Sequence, residues 1–179
     1  FFPAAGPHSR ALYKVNDGPA GTTGIHNFRI ITTNADRDWM HTPINVMSND
    51  RLECTVIDRE NDIYYGAGVR LKGSERARNQ TVRVGYNFDF PSDALFRGAL
   101  SGVAVDRSEG VNSGQQEILY DMMISNSGGP VSRYYDLIKI LSPNSTLTRT
   151  AVLQLARYDD VYLDSQYENG SDGRLYEYE

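Results

Sequence analysis

Glycines and basic residues are interspersed between positions 66 and 78, and their types suit phosphate chemistry. The sequence from 66 to 74 is GAGVRLKGS, and Arg76 and Arg78 follow it. Glycines allow a backbone to approach a ligand closely, and cationic side chains bind phosphate oxygens. The spacing matches neither the Walker loop nor the glycine-rich loop of ordinary kinases. Two interpretations therefore stay open: a phosphate-binding loop, or a twisted strand followed by a basic loop in solvent.

Other kinds of catalytic centre find little support in the sequence. There is no Gly-x-Ser-x-Gly element, and the three histidines form no metal-spaced pair. The single Cys54 excludes an internal disulfide framework and a cysteine-based zinc site. Asp159, Asp160 and Asp164 lack the spacing of a calcium loop, and we interpret them as solvated turn carboxylates. We therefore predict no catalytic residue and no metal ligand in this chain.

Composition narrows the possible partners. The formal net charge is −5, which argues against nucleic acid as a partner, because such surfaces need clustered basic residues. No apolar run approaches the length of a membrane span. The chain has 12 tyrosines and 16 glycines, a combination typical of strands joined by tight turns.

Hydrophobic patterning predicts a succession of strands around one main helix. The predicted strands are 26–33, 52–58, 63–72, 81–90, 102–105, 133–141 and 151–158, with a short helix or loop at 34–48. Within 81–90 the apolar residues alternate and share one face: Val82, Val84, Tyr86, Phe88 and Phe90. A last hairpin is predicted from 160–164 and 174–179, around the turn signal Asn169-Gly170.

The main helix is predicted over about 114–126. Ser113 is a plausible N-cap, and Gln116 completes a capping-box pattern. Its apolar stripe is formed by four residues: Ile118, Leu119, Met122 and Met123. Strands, one helix and further strands together predict an α+β fold, in which this helix packs on a largely antiparallel sheet.

The two ends of the chain suggest a piece of a larger protein. Residues 1–25 are rich in glycine and proline and are interpreted as a linker from an upstream domain. Residues 26–179 are interpreted as the first part of a domain, because the last residues alternate like an interrupted strand. A sheet truncated in this way would leave an edge uncovered and would favour self-association.

Several elements, in order, resemble the spore-coat protein H (CotH) kinase family. Residues 67–74 resemble its G-V-R-x-R/K-G-x-S element, and residues 82–90 resemble the strand K-K-S-Y-x-I/L-x-F that follows. The remaining similarities are to the family's L-D-R-S element at 103–108, its helix at 114–119, its hairpin at 156–179 and its lead-in at 28–32 and 48–55. Val82 and Arg83 stand where the family usually has lysine.

The resemblance implies an atypical kinase fold of which this chain is the N-terminal lobe. Family members bind ATP and magnesium and phosphorylate serines of protein substrates, and many are secreted or lie at the cell surface. Arg70, Lys72 and Arg83 become candidate contacts to nucleotide phosphates, and Glu117 becomes the ion-pair partner of Lys72 or Arg83. The family's metal-binding W-D-x-D segment and its catalytic aspartate would lie beyond Glu179.

Two functions follow as hypotheses. The first is a fragment of a CotH-like protein kinase that is inactive by itself. The second is a non-catalytic surface or adhesion module that recognises carbohydrate, suggested by the abundance of tyrosine and the missing lysine. For Glu117 and Arg83 the alternative roles are a first-turn helical residue and the solvent side of a strand, respectively.

Overall fold

Seven strands form one closed barrel. The computed structural model describes residues 25–107, 115–130, 132–174 and 176. The strands are β1 (His26–Ile31), β2 (Leu52–Asp58), β3 (Asp62–Lys72), β4 (Gly85–Asp89), β5 (Gly102–Asp106), β6 (Tyr134–Leu141) and β7 (Arg149–Ala156). Their order around the barrel is β1-β2-β3-β4-β5-β7-β6, and the parallel pairing of β6 with β1 closes it. All the other neighbours are antiparallel.

Apolar and aromatic side chains fill the barrel interior. The ring of Phe28 lies 5.1 Å from that of Phe88, and Phe90 lies 5.1 Å from Phe96, measured between centroids. The predicted alternation of 82–90 is confirmed from Val84 onward, since its alternate residues are buried. Val82 is exposed because β4 begins only at Gly85. The interior of the barrel is therefore filled by side chains, as expected for a barrel of this size.

The helices are short and lie outside the barrel. They are α1 (Asn34–His41), α2 (Glu75–Arg78), α3 (Gln115–Asn126) and α4 (Asp160–Gln166), with 3₁₀ turns at Ser145–Leu147 and Gly170–Asp172. The side chain of Thr33 caps α1 by accepting from the Asp36 N–H. Within the described residues, no helix has the length and apolar character needed to cross a membrane.

The predicted α+β fold with one main packed helix is wrong. α3 contacts the barrel through Ile118, which packs on Ala104, Leu153 and Leu155. The rest of the expected stripe, together with its neighbours, is exposed: Leu119, Tyr120, Met122, Met123 and Ile124. Because β1 pairs on both sides, with β2 and with β6, the sheet curls into a barrel whose interior its own side chains fill. Each of the seven described strands thus has a neighbour on both sides, and the predicted self-association stays a prediction.

The predicted C-terminal hairpin is also wrong. Residues Asp160–Gln166 form α4, and Asp159 caps this helix by accepting the N–H of Tyr162 at 2.9 Å. Asn169 has a left-handed backbone, but a 3₁₀ turn follows it instead of a strand. Most of the predicted second strand lies outside the described residues. The same holds for the proposed linker up to residue 24 and for the predicted N-cap Ser113.

Candidate functional site

The basic residues of β3 alternate with its core residues. Ala67, Val69 and Leu71 are buried in the barrel. Because successive side chains of a strand point to opposite faces, Arg70 and Lys72 lie on the outer face. The motif that first suggested phosphate chemistry is therefore a strand whose cations line the outside of the barrel.

Lys72 reaches an acidic residue two strands away by crossing a glycine. Lys72 pairs in register with Gly85 of β4, and its Nζ forms an ion pair with Asp106 of β5. A Cβ added at Gly85 would lie 3.2 Å from Lys72 Cβ and 3.6 Å from its Cδ. The lysine stem therefore lies flat over β4 at the one position where no side chain intervenes.

Two arginines repeat this arrangement around Asp89 of β4. Both Arg51 and Arg157 form ion pairs with the Asp89 carboxylate. A Cβ on Gly68 would lie 3.1 Å from Arg51 Cβ, and one on Gly102 would lie 2.7 Å from Arg157 Cδ. These glycines make room for side chains of the protein itself. For Gly68, this supports the interpretation of a strand glycine that relieves crowding.

A groove runs between α3 and the outer face of β5 and β7. Its volume is about 560 Å³, within the usual range for small-molecule sites. Ala104 and Leu155 contribute apolar surface to it, and Lys72, Arg133 and Arg157 contribute three cations. It is further lined by Asp121 and Ile124 of α3 and by Pro130, Ala156, Tyr158 and Tyr176.

Lys72 also borders a second, smaller cavity. This cavity measures about 130 Å³ and is lined mainly by polar residues and backbone, including Asp106, Ser74 and Arg107. Gly73, also part of the lining, has a φ of +102°, a backbone conformation that residues other than glycine rarely adopt. Lys72 thus lines both the polar cavity and the larger groove.

Lys72 and Glu117 lie in one electrostatic neighbourhood. Glu117 is exposed on α3, yet its pKa is raised, first by desolvation and then by the charge of Asp106. The charges of Lys72 and Arg133 oppose this rise without cancelling it. The ion pair of Lys72 is with Asp106, so Asp106 occupies the place that the resemblance assigned to Glu117. The direct partner of Lys72 is thus a carboxylate of strand β5, while Glu117 lies near enough to feel the charge of Lys72.

The other two predicted phosphate contacts lie outside the lining of the groove. Arg70 is on the outer face of β3, where its Nη1 donates to the Leu71 carbonyl at 3.3 Å. Arg83 is exposed in the segment before β4, and its Nη1 donates to the Arg107 carbonyl at 3.3 Å. Of the predicted cations, only Lys72 borders the groove.

Arg78, part of the expected basic loop, is a buried structural residue. Its guanidinium donates to the carbonyl oxygens of Gly73 at 2.6 Å and Ser48 at 3.0 Å, and to Asn49 Oδ1 at 3.2 Å. Burial, followed by the charge of Arg70, lowers its pKa. Arg78 thus ties the Gly73 loop, which lines the small cavity, to the chain leading into β2.

Sequence reasoning missed three residues of the site: Asp106, Arg133 and Arg157. Asp106 and Arg157 lie within elements that carry the family resemblance, so a signal for them was present. What was lacking was the strand order that brings β5 and β7 next to each other. Arg133 lies just before β6, and its guanidinium carbon is 5.9 Å from the centre of the Tyr158 ring.

Neither a metal site nor a known relative helps to assign the function of the groove. The described parts of the chain contain no group of three His, Cys, Asp or Glu side chains placed to hold a metal ion. No model of a protein family matches the chain, and no curated protein matches it.

Proposed function

We propose that the groove between α3 and the barrel binds the phosphates of a nucleoside triphosphate. The observation that carries this proposal is the meeting of three cations, Lys72, Arg133 and Arg157, around apolar surface from Ala104 and Leu155. Cations at the edge suit phosphate oxygens, and an apolar floor suits a flat base. A ligand with both parts would use the whole groove.

The resemblance to the CotH kinases extends this proposal. It implies that ATP enters with magnesium, that serines of a protein substrate accept the phosphate, and that the protein acts outside the cell or at its surface. The closed barrel is not the kinase lobe that the resemblance implied, so these extensions rest on the similar sequence elements alone. The groove residues supply cations for holding phosphate, so we expect this chain to bind nucleotide without transferring the phosphoryl group.

The test is a titration of the 179-residue chain with ATP and magnesium by isothermal calorimetry. We expect saturable binding by the parent chain. Lys72→Met should weaken it at least about ten-fold, because a charge-assisted contact to phosphate is lost. Lys139→Met is the matched control, since Lys139 lies on β6, outside the lining of the groove, and should leave the affinity unchanged.

Two results would contradict the proposal. One is the absence of binding by a sample whose circular dichroism shows it to be folded. The other is equal loss of affinity in Lys72→Met and Lys139→Met, since binding would then follow net charge instead of the groove.

The carbohydrate-binding hypothesis becomes the weaker proposal. It was suggested by the abundance of tyrosine, but several tyrosines have packing roles in the structure. Tyr86 and Tyr162 are buried, and Tyr64 packs on Phe96 with ring centroids 5.0 Å apart. These three side chains cannot form an exposed aromatic platform, which leaves the exposed Tyr120, Tyr167 and Tyr176 as the candidates for one.

A further inference from the structure

We propose that Asp106 restrains Lys72 in the ligand-free protein and so sets the affinity of the groove for phosphate. This inference rests on the proposed function of the groove, whose phosphate contact it takes to be Lys72. It adds a residue that opposes binding: the ligand must draw the ammonium group away from a carboxylate that already holds it.

The Lys72 side chain crosses β4 to reach its partner. The stem lies flat over Gly85, and the ammonium group forms its ion pair on the far side of β4. The side chain of Lys72 is one-third exposed and that of Asp106 about one-fifth, so the pair is accessible to solvent and to ligands. A flexible four-carbon stem can turn from Asp106 towards the groove without movement of the backbone.

A second carboxylate provides an alternative partner for the released ammonium group. Glu117 lies within electrostatic reach of both Lys72 and Asp106, on the first turn of α3. This helix is attached to the barrel through Ile118 and through a hydrogen bond of 2.7 Å from Ser132 Oγ to Asp121. Most of the described side chains of this helix are exposed, so Glu117 can follow Lys72 when a ligand enters.

The expected size of the effect follows from the exposure of the pair. A partly exposed ion pair contributes up to about 1 kcal/mol, which corresponds to about five-fold in an equilibrium constant. Removing the Asp106 charge should therefore tighten phosphate binding by about five-fold. Repulsion between the Asp106 carboxylate and the phosphates would also disappear, and this acts in the same direction.

The first experiment measures the restraint without any ligand. Acylation of lysines by an amine-reactive reagent is followed by peptide mass spectrometry, comparing Asp106→Asn with the parent chain. We expect Lys72 to react about five-fold faster in the variant, because its amine is no longer held against the Asp106 carboxylate and is free to meet the reagent. Lys139 serves as the internal control and should react at the same rate in both proteins. An unchanged rate at Lys72 overturns the inference, whatever the ligand of the groove is.

The second experiment measures affinity for ATP with magnesium by calorimetry. Asp106→Asn should bind about five-fold more tightly than the parent, and Lys72→Met combined with Asp106→Asn should lose that gain. Asp62→Asn removes one negative charge as well, but at the opposite end of β3, and this variant is expected to bind like the parent. If the parent binds and Asp106→Asn binds equally or more weakly, the inference is wrong while the proposed function stands. If no protein binds ATP, the proposed function is wrong, and the acylation rate alone decides whether Asp106 restrains Lys72.

Discussion

Two groups of ion pairs differ in how deeply they are buried: one lies at an end of the barrel, and the other lies on its outer face. At the barrel end, Arg97 joins Asp58 at the end of β2 to Asp136 on β6. On the outer face, Lys72 pairs with Asp106. The side chain of Asp58 is fully buried, whereas one-third of the Lys72 side chain is exposed. Burial therefore separates a group fixed in place from one that a ligand can reach.

The barrel-end group has its hydrogen-bonding capacity largely filled. Arg97 Nε donates to Asp58 at 2.8 Å, and its Nη2 donates to Asp58 at 3.2 Å and to Asp136 at 3.1 Å. The guanidinium also lies 5.0 Å from the ring centres of both Phe96 and Tyr135. An arginine held on several sides in this way contributes to the fold and offers little to a ligand.

The comparison indicates which charged residues to associate with structure and which with binding. A buried pair is costly to break because one partner remains as an uncompensated charge. A partly exposed pair contributes little to stability, since water and salt screen it. Lys72 and Asp106 can therefore exchange partners at small cost, as the proposed function of the groove requires, whereas the barrel-end group cannot.

The largest expected effect comes from breaking the barrel-end group. Asp58→Asn leaves Arg97, whose side chain is only 12% exposed, without its main carboxylate, and we expect a loss of about 3–5 kcal/mol in the free energy of unfolding. Urea denaturation followed by circular dichroism measures this loss. Asp62→Asn, at the exposed first residue of β3, should change stability by less than about 0.5 kcal/mol. A loss below about 1 kcal/mol in Asp58→Asn would show that the two groups do not differ as described.

Local patterns predicted much of the barrel wall but not its closure. The alternation around Tyr86 and Phe88 placed both in the core, because a period of two depends only on neighbouring residues. Closure requires β1 to pair with β6, as Phe28 does with Ile140, and nothing near either residue specifies a partner so distant in the sequence. The apolar residues of α3 likewise suggested a helix packed on the sheet. The sequence pattern shows that these residues are hydrophobic, but it does not show whether another element packs on them.

The candidate site was predictable to a similar extent. Lys72 was identified from its residue type and its glycine neighbours, which are local features. Asp106 was not chosen, although it lies in a segment that resembles the family, because its pairing depends on strand register and on the missing side chain at Gly85. Such a relation across three strands becomes visible only when the strand order is known.

An intermediate effect is expected where glycines let cations cross a strand. A Cβ at Gly85 would lie 2.9 Å from the Val105 carbonyl oxygen, which the backbone holds in place, so Gly85→Ala should cost about 1–3 kcal/mol. A Cβ at Gly102 meets the side chain of Arg157, which can move away, so Gly102→Ala should cost less than about 1 kcal/mol, the contribution of its exposed pair with Asp89. Urea denaturation of both variants checks this order. Equal losses would mean that the arginine is held as rigidly as the backbone.

The smallest effect is expected at the Lys72 pair itself, and it completes the comparison with the barrel end. Lys72→Met and Asp106→Asn should each lower the free energy of unfolding by less than about 1 kcal/mol, because both side chains remain partly in water. Raising the salt concentration should make this loss of unfolding free energy smaller still. It should hardly change the loss in Asp58→Asn, where the Asp58 carboxylate is buried. Urea denaturation at low and high salt separates the two cases. A loss of more than about 2 kcal/mol in either variant, insensitive to salt, would mean that Lys72 and Asp106 serve the fold as Arg97 and Asp58 do.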